Sequence, residues 1–154
     1  MTSQNAIHIL SRALIIDQDH ILLCKTLDLP VPFYFLPGGH IEHGESAETA
    51  VLRELMEESG FEGKIKRFLG CFENSFEPGH SSICHNHEYN LIFEVVLEGL
   101  KFPTPIPQRE AHIELVWIPL ASLNTLDVRP QLLGTCLLGW LALSSNDAFQ
   151  STMV

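Results

Sequence analysis

Apolar positions fall into runs whose spacing changes along the chain. From Ile7 to Ile16 and again from Ile21 to Cys24 they crowd together and are rich in β-branched residues, with the polar stretch DQDH between them. That pattern predicts two strands joined by a turn, so the chain is expected to open as a β-meander. From Ser46 to Ser59 the period becomes helical: Ala47, Ala50, Val51 and Leu55 form one apolar stripe, Ser46 can cap the start and Gly60 can close the end. Three further extended segments follow, KIKRFLGCFENSF, EYNLIFEVVLEG and HIELVWIPL. A last helix is predicted from about Pro130 to Leu143, apolar nearly all round and therefore destined for the core or a subunit contact.

Between these elements lie three shaped loops. LDLPVPFYFLPGGHIEHGES combines prolines, an aromatic patch and two adjacent glycines, and EPGHSSICHNH and KFPTPIPQRE separate the later strands. The prolines of the last favour extended backbone. No repeat or linker interrupts the chain. Strands with one helix between them and another after them predict a mixed β-sheet sandwiched between helices, an α+β or α/β fold, with one domain over residues 1–143 and a loosely ordered polar tail over 144–154.

Composition narrows the partners more than the fold. With 154 residues, the chain can bury a single core without disulfides. Its 19 acidic and 9 basic residues leave a net charge of −10, which is no surface for nucleic acid, and a phosphorylated substrate would need a cation to approach it. The cysteines Cys24, Cys71, Cys84 and Cys136 show no paired short spacing, so reduced thiols in a cytoplasm are expected. MTSQNAIHIL lacks a basic region and a cleavage site, and the run Leu132 to Leu143 is too short to cross a bilayer, so neither a secretory signal nor a membrane span is expected.

The helix itself poses an electrostatic problem. Glu54, Glu57 and Glu58 stand at i, i+3 and i+4, so three carboxylates share one strip and repel, while Arg53 can reach Glu57 one turn on. A hard divalent cation such as Mg²⁺ takes oxygen ligands and pairs well with one or two carboxylates plus phosphate oxygens, which would turn that repulsion into binding.

The block GHIEHGESAETAVLRELMEESGF, from Gly39 to Phe61, spaces its residues as Gly39, five residues, Glu45, seven residues, Arg53-Glu54-Leu55, one residue, Glu57-Glu58, one residue, Gly60 and an apolar Phe61. This resembles the Nudix box at every fixed position. The resemblance implies a loop, helix and loop set against a mixed sheet, and hydrolysis of a nucleoside diphosphate linked to another moiety. It implies Glu57 and Glu58 as ligands of a catalytic Mg²⁺, with Mn²⁺ as a substitute, and Glu54 as either a further ligand or the base that activates water. Gly39 would offer its carbonyl to the metal, Arg53 and Glu45 would fix loop to helix, and Gly60 would end the helix. An acidic residue outside the box often serves such enzymes as base or ligand; Glu88, Glu110 and Glu114 are the candidates, Glu110 and Glu88 ahead of Glu114.

Other features are weighed beside that constellation. Phe33, Tyr34 and Phe35 can stack a base, but alternating aromatics more often belong to a sheet core. Cys84, His85 and His87 with His80 nearby suggest a zinc site only loosely, and His40 and His43 either touch phosphate or coat the loop. Pro78, seventeen residues past Phe61, lies close to where the ADP-ribose type of the family places a proline, which makes ADP-ribose-like substrates modest favourites. The alternatives are a nucleoside triphosphate pyrophosphohydrolase, damaged nucleotides included, and a non-catalytic nucleotide-binding regulator. The final apolar helix adds a homodimer to the expectations.

Overall fold

The computed structural model describes residues 6–77, 86–142 and 149–151. Strands β1 (Ile7–Leu14), β2 (Ile16–Asp17), β3 (His20–Thr26), β4 (Tyr34–Phe35) and β5 (Gly38–His40) precede helix α1 (Ala47–Ser59). Strands β6 (Gly63–Ser75), β7 (His87–Leu97) and β8 (Ile113–Pro119), a 3₁₀ helix (Leu120–Thr125), α2 (Leu133–Leu141) and β9 (Phe149–Ser151) follow.

One sheet runs in the order β5-β1-β7-β6-β9, with β1 parallel to β7 and β9 parallel to β6. In the other, β3 pairs with β8 along its whole length and with β2 and β4 near its two ends. The expected opening meander is therefore corrected. The chain changes sheet at Ile15, whose carbonyl accepts from the Leu22 N–H at 2.9 Å, and Ile16 and Asp17 pair back onto Ile21 and His20. Gln18 and Asp19, both at positive φ (46° and 60°), make the two-residue turn whose twist suits a tight hairpin. Of the tail expected to be loosely ordered, Phe149–Ser151 pairs with Cys71, Phe72 and Glu73 of β6, and its other residues lie outside the described ones.

Both faces of the central strands are buried, which explains their nearly unbroken apolar runs. Ala13, Leu22, Cys24, Phe93 and Val95 join a core with Val51 and Leu55 of α1. Their neighbours Leu14, Ile21, Leu23 and Ile92 face the opposite side and join Leu133, Leu137 and Trp140 of α2. Successive residues of one strand thus feed two cores, one under each helix. Helix α2 is shorter than the sequence predicts and one-sided: Leu133, Gly134, Leu137 and Trp140 are buried, while Leu132 and Leu138 remain half exposed.

Helix α1 follows its sequence signals closely. The Ser46 hydroxyl accepts from the Thr49 N–H at 3.1 Å, and Gly60, at φ 77°, donates its N–H to the Met56 carbonyl. The Ser11 hydroxyl of β1 donates to the Ala47 carbonyl at 2.7 Å, pinning the first turn of the helix to the sheet beneath it.

Candidate functional site

The three glutamates share a strip of α1 but not an environment. Glu57 is exposed, Glu54 is mostly covered, and Glu58 is only 7% exposed. Glu58 is held at that depth by β5: its Oε2 accepts the Gly38 N–H at 3.0 Å, and the Cys24 thiol lies 4.0 Å from its Oε1. Burial pushes its carboxyl up to about 8, reinforced by Glu54 and Glu110 and opposed by the Arg12 guanidinium and the Gly38 N–H. A cation beside it would favour the charged form again.

The sequence anticipated that Arg53 could reach Glu57; in the structure its guanidinium serves three carboxylates. Nε and Nη2 donate to Glu45 at 2.9 and 3.1 Å, Nη1 donates to Glu54 at 2.8 Å and lies 3.5 Å from Glu57, and Nη2 also donates to the His40 carbonyl at 3.2 Å. That fork holds the loop before α1 against the helix and offsets part of the crowding. It also holds the Glu45 carboxyl below the usual carboxylate range, aided by the Glu42 N–H.

Glycines let the loop come this close. A Cβ on Gly39 would lie 2.5 Å from the Glu54 carboxyl carbon, and one on Gly38 would lie 2.1 Å from the Ser11 carbonyl oxygen. Among the described residues no three His, Cys, Asp or Glu side chains already form a closed ligand set. A divalent ion that draws part of its shell from water and phosphate needs only one or two carboxylates, and the hard oxygen donors gathered here fit that demand. Gly39→Ala is expected to keep the fold, because the clash falls on the end of a flexible side chain, while displacing Glu54. Turnover should fall by about tenfold or more at unchanged thermal midpoint, which paired melting and rate measurements would check.

Beside the carboxylates opens a cleft of about 810 Å³. Arg12 of β1 connects the two. Its Nη1 donates to the Leu36 and Gly38 carbonyls at 3.2 and 2.7 Å, its Nε donates to the Asn90 side chain at 3.3 Å, and it lies 5.5 Å from the centre of the Phe35 ring. Asn90 in turn donates to Glu88 at 2.9 Å on the cleft floor. Phe33 and Phe35 line this cleft, and Arg129, held by Asp127, lies 4.2 Å over the Phe33 ring. The sheet-core expectation thus holds for Tyr34, which packs on the core under α2, and for Phe35, which packs on the core under α1 while also facing the cleft; it is corrected for Phe33, which lines the cleft and joins neither core. Arg12, Asn90 and Arg129 carried no motif; the isolated arginine in the apolar run of β1 was the one hint.

The outlying acidic candidates separate. Glu88 is buried in the cleft, and Glu114 is paired with Lys25 at 3.1 Å in the second sheet. Glu110, on the loop before β8, is near enough for its charge to act on Glu58, and lies 3.3 Å from His112. His40 packs edge-on against His8, while His43 is exposed. His80, Cys84, His85 and Pro78 lie outside the described residues, and His87 stands 3.7 Å from Glu73. Among the described residues no helix is long and apolar enough to cross a membrane.

Residues 8–134 match the model of the NUDIX domain. The chain is 33% identical over 107 residues to an ADP-sugar pyrophosphatase of Mus musculus, covering 68% of the chain and 48% of that protein. It is 40% identical over 57 residues to a putative 8-oxo-dGTP diphosphatase of Bacillus subtilis, covering 37% of each. The chain thus spans less than half the length of these curated relatives. A NUDIX hydrolase from Nitrosomonas europaea has the same fold, with a TM-score of 0.70 at 18% identity over 89% of this chain and 90% of that one.

Proposed function

Because the chain belongs to the Nudix family, we propose that it hydrolyses a phosphoanhydride bond of a nucleoside diphosphate linked to a second moiety, with Mg²⁺ or Mn²⁺ as cofactor. The observation that carries this reading is the carboxylate set Glu54, Glu57 and Glu58 at the glycine loop, opening beside a cleft with aromatic walls and arginines.

Glu57 and Glu58 would hold the cation, with the Gly39 carbonyl as a further oxygen donor. When bound, the cation supplies charge neutralisation for the phosphates and makes a nearby water easier to deprotonate. Glu54 would serve as a further ligand, its Oε1 accepting from Arg53 at 2.8 Å and so held facing the loop at Gly39. Arg12 draws the substrate phosphate toward the loop, its guanidinium already fixed by two carbonyls. The proton of the attacking water goes to Glu110. Glu88 and Asn90, bonded to each other, offer acceptor and donor atoms to the rest of the substrate, with Phe33 and Phe35 as apolar walls.

The name of the Mus musculus relative supports an ADP-sugar type of substrate, as the sequence favoured; that of the Bacillus subtilis relative supports hydrolysis of a nucleoside triphosphate. A nucleotide panel with Mg²⁺ tests both. Cleavage of ADP-ribose to AMP and ribose 5-phosphate is the expected result, and a monophosphate with pyrophosphate from a triphosphate would favour the second reading. Absence of turnover on the whole panel would sink the hydrolase assignment and leave a nucleotide-binding regulator.

A further inference from the structure

The segment 101–110, KFPTPIPQRE, is fastened along its length. At its start the Phe102 N–H donates to the Asp17 carboxylate at 2.9 Å, and the Phe102 ring stacks on His20 with centroids 3.7 Å apart. Trp117 of β8 donates its indole N–H to the Thr104 carbonyl at 3.1 Å, and Ile106 packs on the core under α1. At its end the Arg109 Nε donates to the main-chain carbonyl of Glu57 at 3.0 Å.

That last contact meets a need of the helix. The final turn of α1 has no basic residue, yet carries Glu57 and Glu58 against the negative end of the helix dipole. Arg109 brings the missing cation from fifty-two residues away. A Cβ on Gly60 would lie 2.9 Å from the Arg109 Nη1, so the glycine that ends the helix also makes room for this guanidinium. The next residue is Glu110, whose Cα follows that of Arg109 at the fixed spacing of a trans peptide, about 3.8 Å. Fixing residue 109 against α1 therefore restricts where the Glu110 carboxylate can stand.

We propose that Arg109 is a positioning residue: it clips the 101–110 segment to the carboxylate end of α1 and so holds Glu110 where it takes the proton of the attacking water. This rests on the hydrolase reading above. As the water oxygen bonds to phosphorus, its proton passes to Glu110, and the bridging P–O bond breaks with its electron pair leaving on the released phosphate.

Arg109→Ala, Arg109→Lys, Glu110→Gln and the double variant Arg109→Ala/Glu110→Gln test the idea in the full chain, on the nucleotide the wild type cleaves best. Glu110→Gln should lower kcat by about 10²- to 10⁴-fold. Arg109→Ala should lower kcat by about tenfold or more, with KM changed less than about threefold, and Lys should restore part of the loss by donating to the same carbonyl. The double variant should be no slower than Glu110→Gln alone, because a base that is absent cannot be mispositioned. In the metal-free protein, Arg109→Ala should speed amide hydrogen exchange of residues 108–112 and leave residues 50–55 unchanged. Losses that multiply in the double variant, an unchanged kcat in Arg109→Ala, or unchanged exchange at 108–112 would each overturn the positioning role. A wild type that turns over nothing would instead overturn the hydrolase reading and Glu110's part in it, while the exchange measurement would still decide whether Arg109 clips the segment.

Discussion

Glu57→Gln and Glu58→Gln should each lower Mg²⁺-dependent hydrolysis by about 10²- to 10⁴-fold, yet from different surroundings, so that stability measurements should separate them. Glu57 is exposed, so its amide variant should melt within about a degree of the wild type, consistent with the small worth of exposed charges. Glu58 is buried beside Gly38 and within reach of the charges of Glu54 and Glu110. Glutamine keeps its shape and can still accept the Gly38 N–H, while removing a desolvated carboxyl, so metal-free Glu58→Gln should be at least as stable as the wild type. Added Mg²⁺ should raise the wild-type melting temperature, because an ion that binds only the folded state stabilises it by mass action. Either variant should lose most of that rise. Full activity and an undiminished Mg²⁺ shift in both would remove the two glutamates from the metal site.

Gly38→Ala has the largest expected effect on the fold itself. Gly38 sits at φ 127°, and a Cβ there would lie 2.1 Å from the Ser11 carbonyl oxygen and 3.0 Å from the Arg12 Cα. Both obstacles are backbone of β1, the strand to which β5 is paired through Arg12 and Gly38, so no side-chain rotation relieves them. The same residue donates to Glu58 and accepts from Arg12, so displacing it loosens the buried carboxylate and the cleft arginine together. A loss of about 3 kcal/mol or more is expected in urea unfolding, with activity lost as well. Gly44→Ala is the control. Its φ of 82° is also strained for alanine, but nothing lies within 4 Å of the added atom, so it should cost only about 1 kcal/mol. Equal unfolding midpoints for the wild type and Gly38→Ala would refute the crowding argument.

Local signals were legible and distant ones were not. Helix α1 is read nearly to the residue because its stripe, its Ser46 cap and its Gly60 terminus are all written within fifteen neighbouring positions. The link between Arg53 and Glu45 reaches only one residue beyond that stretch. Spacing could place the three glutamates on one strip, but not rank their depths, because Glu58 is buried by Gly38 of β5 rather than by anything in the helix. The apolar run predicted a strand at β1 without telling which strand lies alongside, since the period of a strand carries no address for its partner. Hence the parallel pairing with β7 and the contact of Arg12 with Asn90 across seventy-eight residues were out of reach. Phe33 looked like core because aromatic alternation is the same whether the covered face meets a helix or a cleft.

The adjacency of β1 and β7 bears on how the molecule is made. The box is contiguous, so its helix can form early, but β1 stays without its parallel neighbour until residues 87–94 have been synthesised. Parallel pairing across so long a loop is slow to close. A nascent chain ending before β7 would therefore contain every glutamate of the box and still lack the Asn90 anchor for Arg12. Catalytic competence should arrive late in synthesis, as a property of the closed sheet rather than of the motif, and the box grafted alone into another protein should be inert.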